Sequence, residues 1–135
     1  MGMIWRWGVG CGLVIALADL VAALSSAGQL STNETVVAIT TIDLIVNIAL
    51  YSYCGFRVAS ATTVIRDAAE AGVIAGSIVG AAVVVSGLFV PPLLDADPVV
   101  PITGAITSVA FNVAMGGVLA TLYGFVATLM RRRKG

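Results

Sequence analysis

The chain has 135 residues, of which 59% are hydrophobic and 10% are charged, and its mean hydropathy is +1.06. Because water-soluble domains are about 45–50% apolar and about 25% charged, this composition excludes an ordinary soluble domain and indicates an integral membrane protein in contact with the lipid bilayer. Lys and Arg balance Asp and Glu at seven each. Since the only basic run is the terminal RRRKG, we expect no nucleic-acid binding.

Long apolar runs separated by short polar joints predict an all-α integral membrane protein: a four-helix bundle with short loops, forming a single transmembrane domain over residues 1–135. The predicted spans are residues 8–28, 35–56, 71–93 and 104–130. About 20 residues cross the hydrocarbon core as a helix, so the longer fourth span is expected to tilt or to project beyond the bilayer. A cleaved signal peptide is an alternative for the first run, but the length of that run argues against it.

The first span carries an acid in the middle of an apolar run. Within LVIALADLVAAL, residues 13–24, only Asp19 is polar. An acid at mid-membrane depth costs roughly 2.5–3.5 kcal/mol on insertion scales, so this side chain is expected to avoid lipid. Gly8, Gly12 and Ala16 form a stripe of small residues on one helix face, and Asp19 follows three residues later on that face.

The second span carries another acid among polar residues that follow one helix face at three- and four-residue steps: Thr40, Asp43, Asn47 and Tyr51. The predicted spans contain no Lys, Arg or His to neutralise Asp19 or Asp43. Three interpretations remain open. The acids are protonated and serve as polar packing groups, they share a cation or proton, or a basic residue of another chain pairs with them.

The third and fourth spans carry two further stripes of small residues: Gly72, Gly76 and Gly80, and then Gly116, Ala120 and Gly124. Small residues at four-residue spacing allow helix backbones to approach closely in lipid. We expect the stripes mainly to hold this bundle together, whereas an exposed stripe would bind another subunit or a second copy of the chain.

A polar layer is predicted in the middle to outer part of the membrane. Counting about 1.5 Å per residue from the centre of each span places polar residues of all four spans at similar depths. The expected members of this intramembrane layer are Asp19, Asp43, Asn47, Ser86 and Asn112.

Every Lys and Arg falls before the first span, in the joint 57–70 or after the fourth span: Arg6, Arg57, Arg66, Arg131, Arg132, Arg133 and Lys134. The other two joints carry Glu34, Asp95 and Asp97 and no base. The positive-inside rule therefore predicts that both termini and the joint 57–70 are cytoplasmic. The membrane is expected to be the plasma membrane of a prokaryote.

Catalytic chemistry has little support in this sequence. There is no His, and the two cysteines, Cys11 and Cys54, make a poor metal site without one. No phosphate-binding loop or nucleophile–base pair is present. We therefore expect no enzyme activity, no cofactor and no metal site.

Two functions are compatible with these patterns. The favoured one is a non-catalytic structural or accessory subunit that packs through its Gly and Ala stripes into a larger membrane assembly or a homo-oligomer. A bundle this small leaves little room for a translocation path, which favours that interpretation. The alternative is a small proton- or cation-coupled transporter or channel that uses Asp19 and Asp43.

Overall fold

The computed structural model describes residues 2–27, 33–93 and 102–133. These residues form four α-helices and no strand: α1 (Gly2–Ala27), α2 (Asn33–Thr62), α3 (Ile65–Leu93) and α4 (Ile102–Arg132). Each helix is long and apolar enough to cross a membrane. The predicted all-α architecture with four transmembrane helices is confirmed.

Three of the helices extend well beyond the predicted spans at the end of the bundle that carries the arginines. α1 begins at Gly2 rather than at residue 8, α2 continues to Thr62, and α3 begins at Ile65. α2 has 30 residues, which at about 1.5 Å per residue exceeds the ~30 Å hydrocarbon core. Hydropathy marks only the apolar part of such a helix, whereas backbone hydrogen bonding continues into the interface.

The four helices pack around the bundle in the order α1, α2, α4, α3. The most extensive helix pair is α3 with α4, and α2 also touches α3 across the bundle. The described residues of α1 and α4 make no contact with each other. The largest fully buried side chains form the centre: Ile15, Tyr51, Cys54, Val58 and Val79.

A two-residue link joins α2 to α3. Thr63, which directly follows α2, lies in the left-handed region, with φ of 64°, and its backbone N–H donates to the Ala59 carbonyl oxygen at 2.9 Å. This is the hydrogen bond of a helix C-cap in the left-handed conformation. The tight link places Arg57 and Arg66 at the same end of the bundle.

One end of the bundle is basic. The start of α1, the end of α2, the start of α3 and the end of α4 lie there, together with all the described arginines: Arg6, Arg57, Arg66, Arg131, Arg132 and Arg133. We call it the basic end. Lys134, Asp95 and Asp97 lie outside the described residues. The cytoplasmic location of the basic end stays a prediction.

Cysteine labelling checks this orientation. Both native cysteines are buried, so the unmodified chain provides an unreactive background. Glu34 and Ser60 are exposed residues at opposite ends of α2. In intact cells a membrane-impermeant maleimide should label Glu34→Cys, and it should label Ser60→Cys only after permeabilisation. The reverse pattern would invert the predicted topology.

Candidate functional site

Close glycine contacts hold α3 against α4. The Gly72 and Gly116 backbones face each other, so a methyl group on either one would overlap the other's carbonyl oxygen. Gly76 faces the backbone of Asn112, and an added Cβ at Gly80 would lie 2.7 Å from the Val109 Cα. These approaches are possible only without side chains, which is how small residues support helix packing in lipid.

The small residues of α1 pack against α3. A Cβ at Gly8 would lie 3.0 Å from the Ala71 carbonyl oxygen, and one at Gly12 would lie 3.0 Å from the Ala75 Cα. On α4, a Cβ at Gly124 would lie 2.8 Å from the Ala68 Cβ of α3. Every glycine of the predicted stripes thus faces another helix of the same chain.

A further close approach, between α2 and α4, was not predicted. An added Cβ at Gly55 would overlap the backbone of Ala120, and Ala59, four residues later, is also buried. The sequence did contain a signal for this contact, since Gly55 and Ala59 have the same four-residue spacing as the recognised stripes.

The packing of α1 beside α2 brings three members of the predicted polar layer together. The Asn47 amide nitrogen donates to Asp19 Oδ1 at 2.9 Å and to Asp43 Oδ2 at 3.4 Å. The two carboxyl groups also lie close enough for their charges to interact. A proton on one carboxyl would relieve the repulsion between them, so the arrangement can hold a shared proton. We call Asp19, Asp43 and Asn47 the acidic cluster.

Tyr51, one turn beyond Asn47 on α2, was not among the predicted site residues. Its side chain is fully buried, and its ring packs against Gly116. Its hydroxyl also interacts electrostatically with Asp19. Neither the Tyr51 hydroxyl nor the Asn47 Oδ1 atom has a hydrogen-bond partner. Two buried polar oxygens without partners therefore accompany the two carboxyl groups.

A groove between α1 and α2 leads past the acidic cluster. It encloses about 480 Å³, and half-buried Asp43 forms part of its wall. The rest of the lining is mostly apolar: Val14, Leu17, Val21, Ile39, Ile42 and Val46. We call it the Asp43 groove. It gives a ligand or another helix lateral access to one of the two acids.

The other two members of the predicted layer are satisfied by their own helices. The Ser86 hydroxyl donates to the Val83 carbonyl oxygen at 3.0 Å. The Asn112 amide donates to the Ser108 carbonyl oxygen, also at 3.0 Å. The α1 and α2 members of the layer are therefore hydrogen-bonded to one another, whereas Ser86 and Asn112 hydrogen-bond within their own helices, α3 and α4.

No arginine in the described ranges forms an ion pair with the acidic cluster. The ion pair that the described residues do form joins Arg66 to Glu70 at the basic end, with 2.8 Å between Nε and Oε1. Within the same ranges, no three His, Cys, Asp or Glu residues are grouped to hold a metal ion.

The architecture is that of a small integral membrane protein. No protein-family model matches the sequence, and no curated protein or solved structure is significantly similar to it.

Proposed function

We propose that the chain is a small transporter or channel that carries a proton or a monovalent cation by way of the acidic cluster. The observation that carries this proposal is the Asn47 amide, which bridges carboxyl groups of two different helices at 2.9 and 3.4 Å. Acids in transmembrane segments are costly and typically mark ion or proton pathways. A shared amide holds the two carboxyls together, although their charges would repel.

The surrounding oxygens support an ion-handling role. A buried polar atom without a partner costs about 1–3 kcal/mol, and both the Tyr51 hydroxyl and Asn47 Oδ1, one helical turn apart on α2, are such atoms. A bound cation or a water molecule would satisfy either atom. The oxygens of the cluster can thus hold a proton or a monovalent cation.

Access to the cluster also fits this role. Asp43 forms part of the wall of the Asp43 groove, whereas Asp19 is not part of that wall and accepts a hydrogen bond from Asn47. An ion that reaches Asp43 could pass from its carboxyl to that of Asp19, because both accept a hydrogen bond from the same amide nitrogen and so lie close together. Proton relays in membrane proteins use chains of such carboxyl groups.

An accessory subunit remains the second candidate. The glycines of the small-residue stripes already contact other helices of the same chain, so the stripes give little support to assembly with another subunit. The support comes instead from the two acids, which no described arginine neutralises. A transmembrane helix of a partner, seated in the Asp43 groove and carrying a Lys or Arg at this depth, would supply the missing charge.

Reconstitution into liposomes tests the transport proposal. The wild-type protein should dissipate an imposed proton, Na⁺ or K⁺ gradient faster than protein-free liposomes do. Asp43→Asn should reduce this flux to the protein-free rate, because an amide cannot ionise.

Glu70→Gln makes the same charge change at the basic end and serves as the matched control. It breaks an exposed ion pair of little energetic value, so its flux should equal that of the wild type. Absence of flux for all three ions, or undiminished flux in Asp43→Asn, would contradict the proposal.

A further inference from the structure

A second cavity lies between α1 and α2 toward the basic end and shares Val14 with the Asp43 groove. It encloses about 750 Å³, within the range of about 300–1,000 Å³ typical of sites for small molecules. Arg6, Trp7 and Tyr53 line it near the end of the bundle, and Gly10, Val14 and Leu50 line its deeper part. We call it the arginine cleft.

Two guanidinium groups flank the arginine cleft. Arg6 lines it directly, and the Arg57 guanidinium lies over the Trp7 ring, 5.3 Å from the ring centroid. Arg57 also lines a smaller adjoining cavity that shares Met3 and Trp7 with the cleft. Within the described ranges neither arginine forms an ion pair. The cleft therefore presents Arg6 to an anion, and Arg57, over the Trp7 ring, is the neighbouring cationic group.

The aromatic residues indicate the depth of this mouth. The Trp7 and Tyr53 rings meet edge to face, with centroids 6.1 Å apart, and such residues are enriched at the level of lipid headgroups. Val14 lies two helical turns deeper than Trp7, about 10 Å at 1.5 Å per residue. The cleft thus runs from the headgroup level into the hydrocarbon layer.

The deeper wall leaves space for an acyl chain. Nothing lies within 4 Å of the position that a Cβ would take at Gly10, although the other α1 glycines nearby pack against α3. Val14 and Leu50 continue the wall with apolar surface. A free anion would fill only the mouth and would leave this apolar part uncovered.

We propose that the arginine cleft binds an anionic phospholipid of the leaflet at the basic end. The lipid phosphate lies between Arg6 and Arg57, and one acyl chain follows Gly10 and Val14 toward Leu50. Charge complementarity selects the headgroup, because each basic residue near the surface favours an anionic lipid. The apolar wall selects a lipid over a soluble anion.

Tryptophan quenching tests this proposal on the full chain in bilayers. The chain has two tryptophans, so Trp5→Phe leaves Trp7 as the only reporter. Phosphatidylglycerol with brominated acyl chains should quench Trp7 more strongly than brominated phosphatidylcholine at equal mole fraction. The preference should fall about fivefold for each arginine removed, in Arg6→Gln and in Arg57→Gln.

Two further variants serve as controls. Arg66→Gln removes a charge that is already paired with Glu70 and should retain the preference for phosphatidylglycerol. Arg57→Lys keeps the positive charge and should retain most of it. Helix content by circular dichroism establishes that each variant is folded.

Three results would overturn the proposal. The first is equal quenching by the two brominated lipids. The second is a preference that survives in the double variant Arg6→Gln/Arg57→Gln. The third is loss of the preference in inorganic phosphate but not in chloride at the same ionic strength, because the cleft would then bind a free anion rather than a lipid.

Discussion

Gly76→Ala is expected to lower the free energy of unfolding of the bundle by about 1–3 kcal/mol, the usual cost of overpacking. The added methyl would lie 2.7 Å from the carbonyl carbon of Asn112 and 2.8 Å from the Val113 Cα, and it would overlap the Asn112 carbonyl oxygen. These are backbone atoms of α4, so no side-chain rotation relieves the clash. The two helices must separate, and van der Waals contact along their interface is lost.

The matched control is Gly10→Ala on α1. Nothing lies within 4 Å of the position that a Cβ would take there, so the added methyl group causes no clash. Alanine also has a higher helix propensity than glycine. Unfolding by SDS in mixed micelles, followed by circular dichroism, compares the two variants with the wild type. Equal midpoints for the two variants would mean that the α3–α4 approach does not limit stability.

Hydropathy was sufficient to predict the four helices, but it did not determine which helices are neighbours. The four-residue spacing of Gly72, Gly76 and Gly80 identifies a helix face suited to close packing. It carries no information about the helix that packs there, because any small-residue face is complementary to any other. The partner, α4, follows from the positions of Gly116 and Asn112 in three dimensions.

The acidic cluster was predictable in part. The spacing of Asp43 and Asn47 places them on one face of α2, and their hydrogen bond lies within that helix. The longer-range bond from Asn47 to Asp19 depends on how far α1 is rotated and shifted relative to α2. Neither quantity follows from the residue pattern of a single span.

The remaining members of the predicted layer show a different limit. Serine and asparagine within a helix can hydrogen-bond to carbonyl oxygens three or four residues earlier, and Ser86 and Asn112 do so. Depth in the membrane therefore does not establish that a polar residue faces its neighbours. In the same way, the sequence places Arg57 and Trp7 near one end of the bundle, but their stacking depends on how α1 packs against α2.

Asp19→Asn is expected to leave the bundle folded and to remove ion flux. An amide has nearly the shape of the carboxyl group and still offers an oxygen to the Asn47 amide, which donates to Asp19 Oδ1 at 2.9 Å in the wild type. It cannot ionise, so a path that passes a proton or cation between Asp19 and Asp43 is broken. Flux in proteoliposomes should therefore fall to that of protein-free liposomes, while the SDS unfolding midpoint stays close to the wild-type value.

The same variant separates the two candidate functions when assembly is measured beside flux. If a partner's Lys or Arg pairs with Asp19, the amide leaves that base buried without a counter-charge, which costs about 3–5 kcal/mol. The mass of the gently solubilised complex should then drop to that of the isolated chain, although the helices remain intact. If the wild type conducts no ion and the variant keeps both its fold and its complex, Asp19 serves neither purpose. Its hydrogen bond to Asn47 then acts only to join α1 to α2, and a neutral amide is as good a partner as the acid.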